Sequence, residues 1–149
     1  MIILAHTVTG CIIGQQIENP FLGSLASFSS HFLLDKWPHW NFEPKNLSAR
    51  ELAKLIPDAI CSILIYIAFL AIFPERIISI TLAVFFSLLP DMLTAAKFFA
   101  KGRRIFKKLY FFHGLMQHEF HGRFATSLGL LSQALYIGLL LILYNHLLT

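Results

Sequence analysis

Charged residues are scarce in this chain. Only 13% of its 149 residues are Asp, Glu, Lys or Arg, whereas 56% are hydrophobic, and soluble domains are typically about 25% charged. Mean hydropathy is correspondingly high, at +0.67. A soluble helical domain of this length has too much surface to hide so many Leu, Ile and Phe side chains. The composition therefore disfavours a soluble domain and predicts an integral membrane protein.

Cysteine and targeting signals are also sparse. The two cysteines, Cys11 and Cys61, both lie inside apolar runs, where free thiols behave as small hydrophobic side chains, so neither a disulfide framework nor a cysteine zinc site is indicated. The first residues lack the basic start of a secretory signal, and no small-residue cleavage site stands out before Gln15. We therefore expect the N-terminal segment to remain as the first helix.

Five apolar segments, each long enough to cross or nearly cross a bilayer, organise the chain. They are Ile2–Ile17, Phe21–Trp37, Ala59–Phe73, Ile77 to about Phe99, and Phe124 to about Leu148. The predicted fold is all-α: a single integral membrane bundle of about five helices over residues 1–149, built from two antiparallel hairpins and a C-terminal helix.

The connections between these segments predict the topology. Asn19-Pro20 and Pro74-Glu75-Arg76 are short turns, so each joins an antiparallel pair of helices. The longer polar connections, Asn41–Lys54 and Lys101–Arg123, then lie together on the opposite side. Six of the twelve basic residues fall in one stretch without an acid: Lys97, Lys101, Arg103, Arg104, Lys107 and Lys108.

This basic stretch predicts orientation and partners. Basic loops favour the cytoplasmic side, so we expect a multi-pass protein of the inner or cell membrane with the long loops in the cytoplasm. Membrane lipids are the predicted partners, through anionic headgroups. Nucleic acid is not expected, because the aromatic residues interleaved here are more typical of an interfacial amphipathic segment.

Polar residues at the end of the second apolar segment suggest a metal site. His31 and Asp35 are four residues apart and share one face of a helix. An imidazole nitrogen and a carboxylate oxygen at that spacing can converge on one divalent cation. Pro38 ends the helix and allows His39 to fold back toward the same place.

The topology brings other candidate ligands to the same end of the bundle, whereas Glu18, Glu75 and His146 fall at the other end. Ionisable groups at membrane depth are functional candidates by default. The predicted metal ligands are His6, His31, Asp35, Asp58, Asp91 and His121. Structural alternatives stay open: a hydrogen-bonded core role for His6, and a helix N-terminal role for Asp58 and Asp91.

The histidines before the last helix allow two arrangements. His118 and His121 are three residues apart, whereas His113, Gln117 and His121 form a ladder of four-residue steps. The two sets cannot both face inward equally well. The sequence leaves this choice open, together with an interfacial role for the whole group.

At His6, Pro90-Asp91 and the Ser30-His31-x3-Asp35 element the chain resembles a family described as membrane-bound metal-dependent hydrolases of bacterial and archaeal inner membranes. More distantly, His31, Asp35 and His39 look like the His-x3-Asp and later His element of the zinc-dependent phospholipase C and nuclease superfamily. The membrane family usually carries an Asp-x-Asp motif, where this chain has Asp91-Met92-Leu93.

The resemblance implies a hydrolase that uses a divalent metal, zinc being the expected one, to cleave a phosphoester such as a lipid headgroup. A metal-bound water ionises near pH 7, and the cation offsets charge on the phosphate. His39 or His118 would act as acid or base, and Arg103 or Arg123 would hold the phosphate. Two alternatives remain: an ion or proton transporter, and a noncatalytic protein with a structural metal.

Overall fold

The computed structural model describes residues 3–40, 55–95, 104–119 and 124–148, together with residues 49 and 53. These residues are helical except for turns, one 3-10 segment and an isolated bridge, which confirms the all-α prediction for the described part of the chain. The helices are α1 Ile3–Gln16, α2 Pro20–Asp35, α3 Ile56–Ile72, α4 Ile77–Ala95, α5 Arg104–Met116 and α6 Ala125–Leu148.

Local sequence signals account for the tight turns. The Asn19 side chain accepts hydrogen bonds from the backbone N–H groups of Phe21 (3.0 Å) and Leu22 (3.2 Å), and Pro20 is the first residue of α2. An Asn cap followed by proline is a strong start for a helix. The second turn is the 3-10 segment Pro74–Arg76 between α3 and α4. Each predicted apolar segment overlaps one helix, although α3 begins at Ile56, three residues before the predicted Ala59. Residues 96–99 lie outside the described part.

One helix was not expected. α5 occupies part of the Lys101–Arg123 segment, which the sequence analysis treated as a polar connection with an interfacial amphipathic stretch. Phe111 and Leu115 are exposed on α5, whereas His113 is buried. This alternation of exposed apolar and buried polar side chains follows the helical period. α5 therefore covers one end of the bundle, and its His113 faces inward.

The packing of α4 differs from the predicted second hairpin. α4 packs mainly against α1 and α2, while α3 packs mainly against α1. Glycines explain the close approach of α1 and α4: a Cβ at Gly10 would lie 2.8 Å from the Val84 Cα, and one at Gly14 would lie 2.5 Å from the Ile80 Cα. Small residues four apart allow helix backbones to touch. α4 is therefore the central helix of the bundle.

Buried polar and exposed apolar side chains are more prominent in this bundle than in a typical soluble protein. Large apolar side chains are exposed along α2, α3, α4 and α6, whereas most of the larger fully buried side chains are polar. The buried polar set includes His6, Thr7, Ser27, His31, Asp35, His39, Ser87 and Gln133. Two segments, Pro74–Ala95 and Ser127–His146, have the length and hydropathy to cross a membrane, and only 28% and 11% of these windows are buried.

Candidate metal centre

Four side chains from three helices meet at one end of the bundle. His31 and Asp35 lie in the last two turns of α2, Asp91 follows Pro90 near the end of α4, and His113 lies near the end of α5. We call these residues the four-residue cluster. Their candidate ligand atoms all lie within 4.8 Å of one another. The expected convergence of His31, Asp35 and Asp91 is thus observed, and His113 joins them.

The distances within the cluster suit a single cation. His31 Nε2 lies 3.2 Å from Asp35 Oδ2 and 3.8 Å from Asp91 Oδ1. His113 Nε2 lies 2.9 Å and 3.3 Å from the same two oxygens. The two Nε2 atoms are 3.0 Å apart. Tetrahedral zinc with ligands at about 2.0–2.2 Å separates neighbouring ligand atoms by roughly 3.3–3.6 Å, which is close to these values.

Hydrogen bonds on the far side of each imidazole orient its ring. His31 Nδ1 lies 2.7 Å from the Ser87 carbonyl, which can only accept, so we assign the proton of neutral His31 to Nδ1. His113 Nδ1 lies 3.3 Å from Thr94 Oγ1, whose own proton is donated to the Pro90 carbonyl at 2.7 Å. The same assignment follows for His113. Such partners fix the tautomer of metal-binding histidines.

With these tautomers the neutral rings of His31 and His113 place no imidazole proton at the centre of the cluster. Both Nε2 lone pairs then face each other and two carboxylate groups at 2.9–3.8 Å. Lone pairs and carboxylate charge held this close together repel one another in a low-dielectric interior. A divalent cation at the centre would offset this repulsion and would be held by His31, Asp35, Asp91 and His113.

Three side chains of the cluster are buried and one is partly exposed. The side chains of His31 and Asp35 are fully buried and that of His113 is 6% exposed, whereas the Asp91 side chain is 33% exposed. Structural zinc sites are closed, and catalytic ones keep a position for water or substrate. The exposure of Asp91 marks the side from which a small molecule could approach.

His6 lies beside the cluster, as predicted. Its ring stacks on that of His31, with centroids 4.2 Å apart and an interplanar angle of 18°. Its Nε2 faces the second oxygens of both carboxylates, at 3.5 Å from Asp35 Oδ1 and 3.9 Å from Asp91 Oδ2. Ser87 helps to position this residue, because its hydroxyl donates to the His6 carbonyl at 2.8 Å.

Asp58 lies at the same end of the bundle but contacts a different element. Its carboxylate accepts hydrogen bonds from the backbone N–H groups of Ile3 (2.7 Å) and Leu4 (3.0 Å) at the start of α1. A carboxylate there satisfies unpaired helix donors and complements the helix dipole. The structure therefore places Asp58 as a cap of α1, outside the four-residue cluster, and its role as a metal ligand stays a prediction.

His39 is fully buried in the turn after α2. Its Nδ1 lies 2.7 Å from the Trp37 carbonyl, so Nδ1–H donates, and Nε2 is buried without a hydrogen-bond partner among the described residues. Burial lowers the pKa of His39 below 6.5, which favours the neutral ring. An acid or base role for His39 is compatible with this state and is not tested by the structure.

His118 contributes through its backbone. Its N–H donates to the Asp35 carbonyl at 2.8 Å, and its carbonyl accepts from the His39 N–H at 3.1 Å, while the His118 residue is exposed. It ties the segment after α5 to the end of α2, and the predicted catalytic role of its side chain stays untested. The predicted ligand His121 and the predicted phosphate-binding residues Arg103 and Arg123 lie outside the described residues.

His113 was missing from the predicted ligands because its segment was read as a connection. Both arrangements left open before the last helix include His121, which lies outside the described residues. α5 ends at Met116, so His113 lies on this helix and Gln117 and His118 follow it. The sequence signal that could have identified His113 is that it is a polar residue among apolar neighbours on one helix. In the structure Phe111, Phe112 and Leu115 are exposed, whereas His113 is buried.

No protein-family model, curated protein or solved structure matches the chain. Two imidazoles and two carboxylates form an N2O2 donor set that suits zinc and other divalent first-row metals.

Proposed function

We propose that this chain is a multi-pass membrane protein whose four-residue cluster binds a divalent cation, zinc by preference, and hydrolyses a phosphoester near the cytoplasmic membrane surface. The observation that carries the proposal is the set of lone pairs converging from His31, Asp35, Asp91 and His113. Both histidines are held with Nδ1–H turned away from the centre, toward the Ser87 carbonyl and the Thr94 hydroxyl, as metal-binding histidines commonly are.

The exposed apolar surface supports the membrane part of the proposal. α6 exposes Leu131, Leu135, Ile142 and other large apolar side chains along its length, and a soluble monomer rarely exposes so large an apolar area. A groove of about 630 Å³ between α2 and α4 is likewise apolar and is lined in part by Phe21 and Phe86. Such apolar surfaces are compatible with contact to the hydrocarbon chains of lipids.

The position of the cluster within the bundle supports a role at one membrane surface. The cluster lies where α2, α4 and α5 end, while the ion pair between Arg76 and Glu18, 2.8 Å long, lies at the other end. The basic residues of the Lys97–Lys108 stretch precede His113 in the sequence, and three of them, Arg104, Lys107 and Lys108, belong to α5, the helix that carries His113. Positive charge in this part of the chain favours the cytoplasmic side and an anionic substrate.

The open side at Asp91 supports catalysis over a purely structural metal. A divalent cation bound here lowers the pKa of a bound water to about 7 and offsets charge on phosphate oxygens. The chain's own part is to hold the four ligands rigidly, through Ser87 and Thr94, and to leave one side accessible. The resemblance to membrane-bound metal-dependent hydrolases agrees with this chemistry.

A proton relay is the second candidate, and one distance favours it. His113 Nε2 lies 2.9 Å from Asp35 Oδ2, which is also the length of an imidazolium–carboxylate hydrogen bond. A relay needs ionisable groups along the whole path. In the described residues the groups at the two ends of the bundle are separated by turns of α1 and α4 that carry no His, Asp, Glu, Lys or Arg, so the hydrolase is the better-supported candidate.

Activity in a membrane tests the proposal. The purified protein is reconstituted in phosphatidylethanolamine–phosphatidylglycerol vesicles, stripped with a chelator, and assayed with bis(p-nitrophenyl) phosphate and for headgroup release, before and after zinc is added. We expect hydrolysis that needs the metal and falls at least about 100-fold in Asp91→Asn, but not in Thr81→Val. Proton flux without hydrolysis would favour the relay, and zinc binding without hydrolysis would contradict the proposed activity.

A further inference from the structure

We infer that the centre holds two cations, with Asp35 and Asp91 bridging them and His6 binding the second. The inference rests on the proposed metal site and extends it to a residue outside the four-residue cluster. The two positions share the carboxylates and differ in their histidines: His31 and His113 serve the first position, and His6 serves the second.

The two oxygens of each carboxylate face different histidines. Asp35 Oδ2 lies near His31 and His113, at 3.2 and 2.9 Å, whereas Asp35 Oδ1 lies 3.5 Å from His6 Nε2. Asp91 repeats the pattern, with Oδ1 toward His31 and His113 and Oδ2 3.9 Å from His6 Nε2. Each carboxylate therefore presents one oxygen to His31 and His113 and the other oxygen to His6, which is the arrangement that bridges two cations.

The stacking of His6 on His31 sets the spacing of the two positions. The rings are nearly parallel, with centroids 4.2 Å apart, and both present Nε2 to the same pair of carboxylates. If each cation lies in the plane of its own imidazole ring, the distance between the two cations is about the distance between the His6 and His31 rings. Two-metal hydrolytic centres have their ions roughly 3.5–4 Å apart, so the stacking matches such a centre.

His6 also lacks the hydrogen bonds expected of a core histidine. It is fully buried, and neither ring nitrogen has a hydrogen-bond partner among the described residues. The 3.5 Å separation from Asp35 is too long for a strong hydrogen bond. An unsatisfied buried polar group costs about 1–3 kcal/mol. A cation at Nε2 provides the missing partner and accounts for a histidine held in this position.

The second position has fewer protein ligands than the first. It receives one imidazole and two bridging oxygens, and Asp91 is its partly exposed side. Water or a substrate oxygen would complete the shell there, so we expect the second cation to bind more weakly than the first. A phosphoester held between two cations is the arrangement used by two-metal phosphatases and nucleases.

Metal stoichiometry measured without reference to activity tests the inference. Detergent-purified protein is titrated with zinc and, separately, with Mn²⁺, and bound metal per chain is measured by mass spectrometry. We expect two ions per native chain and one in His6→Ala. The matched control is Thr9→Val on the same helix as His6. The Thr9 hydroxyl bonds to the Ala5 carbonyl and to the Tyr136 hydroxyl of α6, so this variant should keep two ions.

Electron paramagnetic resonance of the native Mn²⁺ protein gives a second reading that needs no variant. Two bridged ions produce an exchange-coupled spectrum, whereas isolated ions do not. One ion per native chain with an uncoupled spectrum would overturn the inference and leave the proposed function standing. Two ions in both native protein and His6→Ala would overturn the role of His6. No bound metal in folded native protein would overturn the proposed function as well.

Discussion

The Nε2 atoms of His31 and His113 lie 3.0 Å apart at the centre of a group that also contains two carboxylates. In each ring the opposite nitrogen faces an acceptor on α4, the Ser87 carbonyl or the Thr94 hydroxyl oxygen. α4 therefore orients both histidines and supplies Asp91 as well. α4 is central to the packing and also positions the proposed metal ligands. Substitutions in α4 should therefore change metal binding at the site.

Removing the acceptor behind His113 should weaken metal binding. In Thr94→Val the Nδ1–H of His113 loses its partner, so the ring is no longer held in the tautomer that presents Nε2 to the cation. We expect zinc affinity to fall about 10- to 100-fold, measured by competition with a chromophoric chelator. Thr81→Val is the control, because that hydroxyl bonds to Tyr66. Equal affinities in the native protein and Thr94→Val would contradict the orienting role.

Asp58→Ala separates a capping role from a ligand role. The substitution removes the acceptor of two α1 N–H groups, and loss of a helix cap costs about 1 kcal/mol. We expect the thermal midpoint in detergent to fall by about 2–4 °C while bound zinc per chain is unchanged. Loss of zinc from a folded Asp58→Ala protein would restore Asp58 as a ligand.

Gly14→Ala tests the contact between α1 and α4. The added Cβ would lie 2.5 Å from the Ile80 Cα and 2.7 Å from the Ser79 carbonyl oxygen, so the two helices must move apart. We expect a loss of about 1–3 kcal/mol in the free energy of unfolding. Gly138→Ala is the matched control, since a Cβ there meets nothing within 4 Å and should stabilise α6 slightly. Similar unfolding curves for the two variants would contradict the close packing.

His39 should make stability depend on pH. Burial lowers the pKa of His39 in the folded protein below 6.5, so the unfolded chain takes up a proton at a higher pH than the folded one. The stability contributed by the neutral ring is present above pH 6.5 and is lost as pH falls toward the folded-state value. The thermal midpoint should therefore drop less between pH 7.5 and 5.5 in His39→Gln than in native protein or in the exposed-site control His118→Gln. Equal drops in all three proteins would contradict this.

Short-range patterns predicted much of the bundle and part of the site. The spacing of His31 and Asp35 follows directly from the helical period, and the turn at Asn19-Pro20 determines which end of the bundle they share with His6. The place of Asp91 near the same end follows from the second turn. These features are local in the sequence, so composition and periodicity were sufficient to predict them.

The parts that sequence reasoning missed depend on contacts between distant segments. Asp58 caps a helix that begins 55 residues earlier in the chain. The central position of α4 depends on Gly10 and Gly14, whose small size matters only once the partner helix is known. His113 is brought to the cluster by the short amphipathic helix α5, which is too short and too polar to be read as a membrane span.

Zinc content of the native protein compared with His113→Ala and His118→Ala tests the central claim most directly. The two histidines are five residues apart, but only His113 reaches the cluster, while the His118 residue is exposed and bonds through its backbone. We predict that native protein and His118→Ala retain zinc after dialysis and that His113→Ala loses it. Zinc retained by a folded His113→Ala protein, or absent from the native protein, would contradict the account.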